Sequence, residues 1–75
     1  LNDKLLKTQV EQVWEQIVGK DLAKHTGRID IDKTTLKIEI TSSALRHELS
    51  FSKSLILERI NDLLGKKTIT DILFF

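Results

Sequence analysis

The sequence predicts an α+β domain in which two helices pack on one face of a three-stranded sheet, in the order α(α)ββαβ. The spacing of the apolar residues carries this prediction. Within residues 5–18 and 45–64 they recur every three or four positions, as in amphipathic helices. Within residues 28–40 and 67–75 they alternate with polar residues instead, as in half-buried strands.

The first helix is expected over residues 5–18, followed by a short helical turn over residues 20–25. Asn2 or Asp3 can cap the start of the helix, and Gly19 stands where a left-handed residue would end it. Trp14 shares the apolar face of the helix and is expected to anchor the core. The apolar face comprises Leu5, Leu6, Val10, Val13, Trp14, Ile17 and Val18.

Two antiparallel strands are expected over residues 28–32 and 36–40, joined by a turn at Lys33–Thr34. This turn lacks the Asn-Gly pair that tight hairpins prefer. One register places apolar residues opposite each other on one face and oppositely charged residues opposite each other on the other face. A slip of one residue would oppose apolar and charged positions throughout. The predicted pairs are Ile31 with Leu36, Asp30 with Lys37, Ile29 with Ile38, and Arg28 with Glu39.

A long helix is expected over residues 43–64 and a third strand over residues 67–75. Ser42 or Ser43 provides the N-cap of the helix, and Gly65 stands where it would end. The Ser50–Phe51–Ser52 stretch is a poor helix former and could mark a kink. The inner face of the strand is expected to carry Thr68, Thr70, Ile72 and Phe74, and the outer face Asp71, Leu73 and Phe75.

Length and composition point to a single domain that spans residues 1–75. Hydrophobic residues make up 40% of the chain and charged residues 31%, which is typical of a folded globular protein. With no cysteine the chain forms neither a disulfide nor a thiolate metal site, and the missing cysteines favour a reducing compartment. No apolar run approaches the roughly 18 residues of a membrane-spanning helix, and no signal-peptide pattern opens the chain.

No pattern in the sequence predicts catalysis, a cofactor or a metal ion. His25 and His47 have no carboxylate or cysteine at ligand spacing, whereas a metal site needs several converging ligands. Asp30 and Asp32 would share one face of a strand, but the basic residues beside them indicate a solvated ladder of charges. The three glycines lie at predicted element ends and form no phosphate-binding loop. We therefore expect a non-enzymatic binding domain.

Two surfaces are candidates for contact with a partner. The first is a basic cluster, expected where the first helical unit, the first strand and the start of the long helix meet. The alternative is that its basic residues are scattered over the surface and only aid solubility. The cluster comprises Lys20, Lys24, Arg28, Arg46 and Lys53. The second is apolar, formed by Leu73 and Phe75, and the alternative there is a ragged chain end. Because the net charge is only +1 and no segment is strongly basic, any affinity for nucleic acid is expected to be weak and strongly salt-dependent.

Three blocks of the sequence resemble the bacterial DciA family. The first block is residues 13–19 (VWEQIVG) with 22–26 (LAKHT), and the second is residues 36–40 (LKIEI) with 42–49 (SSALRHEL). The third is residues 60–65 (INDLLG) with Ile69 and residues 72–74 (ILF). Together they cover nearly the whole chain, in the order and at the distances found in the family.

The resemblance implies a KH-like fold and a non-enzymatic partner of the DnaB-type replicative helicase in the bacterial cytoplasm. It also implies contact with single-stranded or tailed DNA. The Gly-x-x-Gly loop that clamps the backbone of nucleic acid in RNA-binding KH domains is absent from the sequence, so the fold alone does not imply RNA binding. Two alternatives stay open: a general KH-like binder of RNA or other nucleic acid, and a structural domain that dimerises through its last strand.

Overall fold

A computed structural model describes residues 3–75 and confirms the predicted α+β class. The predicted cap at Asn2 or Asp3 falls outside the residues and side chains described. The elements in chain order are α1 (Asp3–Val18), α2 (Lys20–Ala23), β1 (Thr26–Asp32), β2 (Thr35–Ile40), α3 (Ser43–Leu49), α4 (Lys53–Leu64) and β3 (Asp71–Phe74).

The sheet has the strand order β1-β2-β3, with β1 antiparallel and β3 parallel to β2. Because a parallel neighbour requires a long crossover, α3 and α4 carry the chain from β2 to β3. Three of the four predicted pairs between β1 and β2 are confirmed: Ile31 with Leu36, Asp30 with Lys37, and Ile29 with Ile38.

The fourth predicted pair, Arg28 with Glu39, is replaced by an irregularity between Thr26 and Ile29. Here the backbone N–H of Arg28 donates to the Glu39 carboxylate at 3.0 Å, so the two residues meet through the backbone rather than through their charges. The carboxylate lies directly over Gly27, where a Cβ would overlap it. The missing side chain at Gly27 therefore leaves room for this contact.

The hairpin turn is the two-residue turn predicted at Lys33–Thr34, and Lys33 adopts a left-handed conformation with φ of 58°. Contacts to the segment before β3 support this glycine-free turn. The Thr70 N–H donates to the Thr34 carbonyl at 2.9 Å, and the two threonine hydroxyls lie 2.7 Å apart.

We expect Lys33→Gly to stabilise the chain by up to about 1 kcal/mol, because a left-handed conformation costs a residue with a side chain about 1–2 kcal/mol and glycine offsets part of that gain through its greater chain entropy. Urea unfolding of both proteins measures the difference. Thr34→Gly is the matched control, since Thr34 has no positive φ, and it should destabilise. A loss of stability in Lys33→Gly would contradict this view of the turn.

The long helix predicted over residues 43–64 is two helices, because the Ser50–Phe51–Ser52 stretch ends one and begins the next. The Ser50 hydroxyl donates to the carbonyl of His47, a local bond that competes with helix continuation. Ser52 has φ of −118° and ψ of 13°, outside helical values, and its carbonyl accepts the first bond of α4. The Ser42 cap is confirmed, since its hydroxyl accepts the Leu45 N–H at 3.3 Å. Gly65 ends α4 in the left-handed conformation.

The third strand is shorter than predicted, beginning at Asp71 rather than at residue 67. Thr70, predicted to face inward, is exposed, whereas Ile69 is fully buried. The reason is that the Asn61 side chain binds the backbone just before the strand and rotates it out of the strand pattern. Alternation starts only at Asp71, with Ile72 and Phe74 buried as predicted.

The core lies between the helices and the inner face of the sheet. Trp14 is confirmed as part of it, with only 2% of its surface exposed. Leu5, Leu55 and Leu63 are about half exposed and are not core residues, because they lie on the flanks of their helical stripes. The buried apolar residues are Leu6, Val10, Trp14, Ile29, Leu36, Ile38, Ile40, Leu49, Ile56, Ile60, Ile69, Ile72 and Phe74.

Candidate interaction surfaces

The end of α2, the start of β1 and the start of α3 meet where β2 ends, and they bring basic residues with them. The His25 carbonyl accepts the N–H of Thr41 at 2.7 Å and its hydroxyl at 3.0 Å, which ties the end of α2 to the residue after β2. The first residue of β1 pairs with the last residue of β2. Lys24, Arg28 and Arg46 therefore lie around this junction, which we name the β2 corner.

Both arginines of the β2 corner already have partners. Arg46 donates from Nη1 to the carbonyl of Ile40 at 2.7 Å, so it holds α3 against the end of β2. Arg28 lies 3.8 Å from the carboxylate of Asp30, and its side chain is 74% exposed. Such an exposed pair contributes little to stability.

Of the other two predicted cluster members, Lys20 is exposed and begins α2, one helical turn before Lys24. Lys53 begins α4, on the far side of the α3–α4 break, and none of the contacts described for residues 3–75 joins it to the β2 corner. Lys24, Arg28 and Arg46 of the predicted cluster thus lie around the β2 corner, Lys20 lies one helical turn before Lys24, and Lys53 lies apart. The role of the cluster in binding stays a prediction.

The outer face of the sheet is apolar at Leu73 on β3 and at Phe75 just after it, and it is charged along β1 and β2. Leu73 pairs with Lys37, and Phe75 continues the ladder through hydrogen bonds of 3.0 Å to the Ile38 carbonyl and 2.8 Å from the Ile40 N–H. Leu73 is 44% and Phe75 40% exposed. We name Leu73 and Phe75, with the charged residues beside them, the open face.

The acidic residues of the open face form a ladder of ion pairs. Asp30 lies 3.5 Å from the Lys7 ammonium as well as near Arg28. Lys37 reaches diagonally to Asp32, at 3.6 Å, rather than to Asp30 directly across the strands. Each aspartate of β1 is thus next to a cation on a solvated surface, which favours a charge ladder over an acid–base pair.

The turn between α3 and α4 exposes an aromatic residue that the sequence pattern did not single out. Phe51 is 77% exposed, and its ring meets that of His47 edge to face, with centroids 5.0 Å apart. A large apolar residue between two serines at a helix break was the available signal. We name residues 47–53 the α3–α4 turn.

A groove of about 540 Å³ runs along α4 and the turn after it, open to solvent. Carboxylates (Glu58 and Asp62) and ammonium groups (Lys66 and Lys67) line it together. Among the side chains of residues 4–75 there is no group of three or more that could hold a metal ion. No helix in the same range is long and apolar enough to cross a membrane.

The chain is similar to a known protein family and to a protein from Streptomyces. A family profile described as "Dna[CI] antecedent, DciA" matches residues 1–74. A UPF0232 protein of Streptomyces avermitilis is 38% identical over 58 residues, which make up 75% of this chain and 32% of that protein. The matched part of the chain thus spans about a third of the length of that relative.

Proposed function

The chain belongs to the DciA family, and on this basis we propose that it is an interaction module that supports loading or operation of the DnaB-type replicative helicase. The match over residues 1–74 is the observation that carries the proposal, because it includes every helix and strand of the fold. The proposal includes contact with single-stranded or tailed DNA. It concerns this domain alone, since the relative from Streptomyces is considerably longer.

The open face supports contact with a protein partner. Leu73 on β3 and Phe75 just after it form an apolar strip, and Lys37 and Glu39 lie beside them on the neighbouring strand. An apolar centre with a charged rim is the usual composition of an interface that forms between soluble proteins. We propose that the helicase binds here.

Phe75→Glu is expected to weaken binding of the helicase by about tenfold or more, as loss of a central apolar anchor does. The new carboxylate would lie next to Glu39, so the strip would lose apolar area and gain repulsion. The measurement is retention of the purified helicase from the same organism on the immobilised chain.

Leu55→Glu is the matched control for Phe75→Glu. Leu55 is 55% exposed but lies on α4, in the helical layer, so its replacement should leave retention unchanged. Both variants are checked for folding by circular dichroism. If folded Phe75→Glu retained the helicase fully, or if Leu55→Glu lost as much retention of the helicase as Phe75→Glu, the open face would not be the docking surface.

A dimerisation domain is the second candidate function, favoured by the same strip on an edge strand of the sheet. A second copy of the chain could cover Leu73 and Phe75 in place of the helicase. The two functions differ in sedimentation of the chain alone. If the chain dimerises, the mass of the wild type rises with concentration, whereas Phe75→Glu stays monomeric. If the chain binds the helicase without self-association, the wild type and Phe75→Glu are both monomers.

A further inference from the structure

The α3–α4 turn carries the most exposed large apolar side chain among the described residues. Phe51 exposes 77% of its surface, whereas Leu5, the next, exposes 57%. The core residues on either side are Leu49 and Ile56, so the chain leaves the core at the turn and returns to it within α4. The phenyl ring takes no part in the packing between the two helices and the sheet.

The ring of Phe51 is held at its position by local contacts. The Phe51 N–H donates to the Glu48 carbonyl at 3.3 Å, and the Ser52 N–H to the Leu49 carbonyl at 2.9 Å, so the turn has a defined backbone. The His47 ring stands at 86° to the phenyl ring. Because the contact is edge to face, the His47 ring leaves at least one flat face of the phenyl ring uncovered, and Phe51 as a whole is 77% exposed.

The residues next to Phe51 in sequence are polar. Ser50 and Ser52 flank it in sequence, and Lys53 follows at the start of α4. We propose that the α3–α4 turn binds an unpaired base of single-stranded nucleic acid, which stacks on Phe51 while Lys53 contacts an adjacent phosphate. This inference assigns a site to the nucleic-acid contact included in the proposed function.

A nucleobase fits these observations better than a protein does. Anchors of protein interfaces usually lie at the centre of a packed apolar surface. Phe51 has serines, an imidazole and an ammonium group as its neighbours along the chain, and it stands at a turn. Every base has a flat aromatic face, so a single exposed ring is enough to give stacking without sequence preference.

The charge of the turn predicts how the affinity responds to salt. Within residues 42–54 Arg46 and Lys53 face one acid, Glu48, and the Arg46 guanidinium is bound to the Ile40 carbonyl. Lys53 therefore supplies the main phosphate contact, and stacking must supply most of the affinity. Neutralising one phosphate contributes a slope of about −0.7 in log K against log salt for a single strand. We therefore expect a shallow salt dependence, not the steep one predicted from composition.

Fluorescence anisotropy of labelled single-stranded DNA and RNA of one sequence, titrated with the folded chain at several salt concentrations, tests the site. We expect Phe51→Ala and Phe51→Leu to weaken binding about five- to a hundredfold, as loss of one stacking platform does. Phe51→Tyr keeps a ring and should bind as the wild type does. Lys53→Gln should make the salt slope shallower by about 0.7. Leu63→Ala, at the other end of α4 and half exposed, is the control that should change nothing.

Each other outcome contradicts the site in a distinct way. Wild-type affinity in Phe51→Leu would show that apolar area rather than stacking matters at this position. Unchanged nucleic-acid binding in Phe51→Ala would remove the site and leave the proposed function standing. If Phe51→Ala bound nucleic acid as the wild type does but no longer retained the helicase, the α3–α4 turn would be a contact for a protein instead. If the wild type bound neither single-stranded DNA nor single-stranded RNA at low salt, both the site and the DNA contact in the proposed function would be overturned. The helicase contact would still be decided by the retention experiment.

Discussion

Replacing Trp14 by alanine is expected to lower the free energy of unfolding by about 3–5 kcal/mol, the usual cost of removing a large buried aromatic ring. A domain of this length has a total stability on the order of 4–11 kcal/mol, so the loss is a large fraction of the total and the variant should unfold at a much lower urea concentration than the wild type.

The structural reason is that Trp14 joins α1, α2 and both edges of the sheet. Its ring lies 6.3 Å from that of Phe74 on β3. Its Nε1 donates at 2.8 Å to the hydroxyl of Thr26 on β1, which donates in turn to the carbonyl of Leu22 on α2 at 3.3 Å. Alanine would leave both a cavity and an unpaired hydroxyl acceptor.

Urea unfolding followed by far-ultraviolet circular dichroism measures this loss. Trp14→Phe retains a ring but not the Nε1–H donor, and we expect it to cost about 1–2 kcal/mol, between the wild type and alanine. Gln12→Ala, on the exposed side of the same helix, should stay within about 0.5 kcal/mol of the wild type. A Trp14→Ala protein within about 1 kcal/mol of the wild type would contradict the packing described here.

Asn61→Leu has the second-largest expected effect, a loss of about 2–4 kcal/mol, because it leaves partly buried backbone groups without partners. The Asn61 amide donates to the Ile69 carbonyl at 2.8 Å, and its oxygen accepts the N–H groups of Thr68 and Ile69 at 3.0 and 2.9 Å. These three bonds attach the segment before β3 to α4 and bury Ile69 fully. Leucine has a similar volume but forms none of them.

Urea unfolding of Asn61→Leu and Asn61→Asp separates hydrogen bonding from shape. Aspartate keeps the acceptor for two N–H groups and loses only the donor, so it should cost less than leucine. Glu58→Gln, one turn earlier and exposed, is the control. Wild-type stability in Asn61→Leu would mean that the segment before β3 is held by its apolar contacts alone.

The hairpin shows how far periodicity alone predicts the fold. Its register was predictable at Ile29, Ile31, Leu36 and Ile38 because a slip of one residue would bury charges. The irregularity at Gly27 was not, because it depends on a bond between the Glu39 carboxylate and the N–H of Arg28. Alternation records which face a side chain occupies, but not which backbone group a long side chain reaches.

The long helix and the third strand show the same limit at a larger scale. Apolar spacing continues across residues 50–52, so it indicates one helix, and the serine bond that ends α3 is visible only locally. Thr68 and Thr70 continue the alternation of β3 backwards, but Asn61 binds that segment from a different element. The hydrogen bonds from Asn61 to Thr68 and Ile69, seven and eight positions further along the chain, therefore override the alternation expected from the local sequence.

The candidate surfaces were predictable in part for related reasons. The outward position of Leu73 and Phe75 follows directly from alternation with Ile72 and Phe74. Grouping of basic residues depends on tertiary contacts, and Lys53 lies apart because the helix break separates it from α3. Phe51 was missed because its exposure depends on where α3 ends and α4 begins, and the spacing of apolar residues does not indicate these positions.

Direct contact between the folded chain and the replicative helicase of the same organism is the property on which the proposed function depends most. Sedimentation velocity of the wild-type chain with the purified helicase at low salt, over a range of chain concentrations, measures it. We predict that the chain co-sediments with the helicase and that the bound fraction saturates. Separate sedimentation of a well-folded chain up to about 100 µM would contradict the proposal.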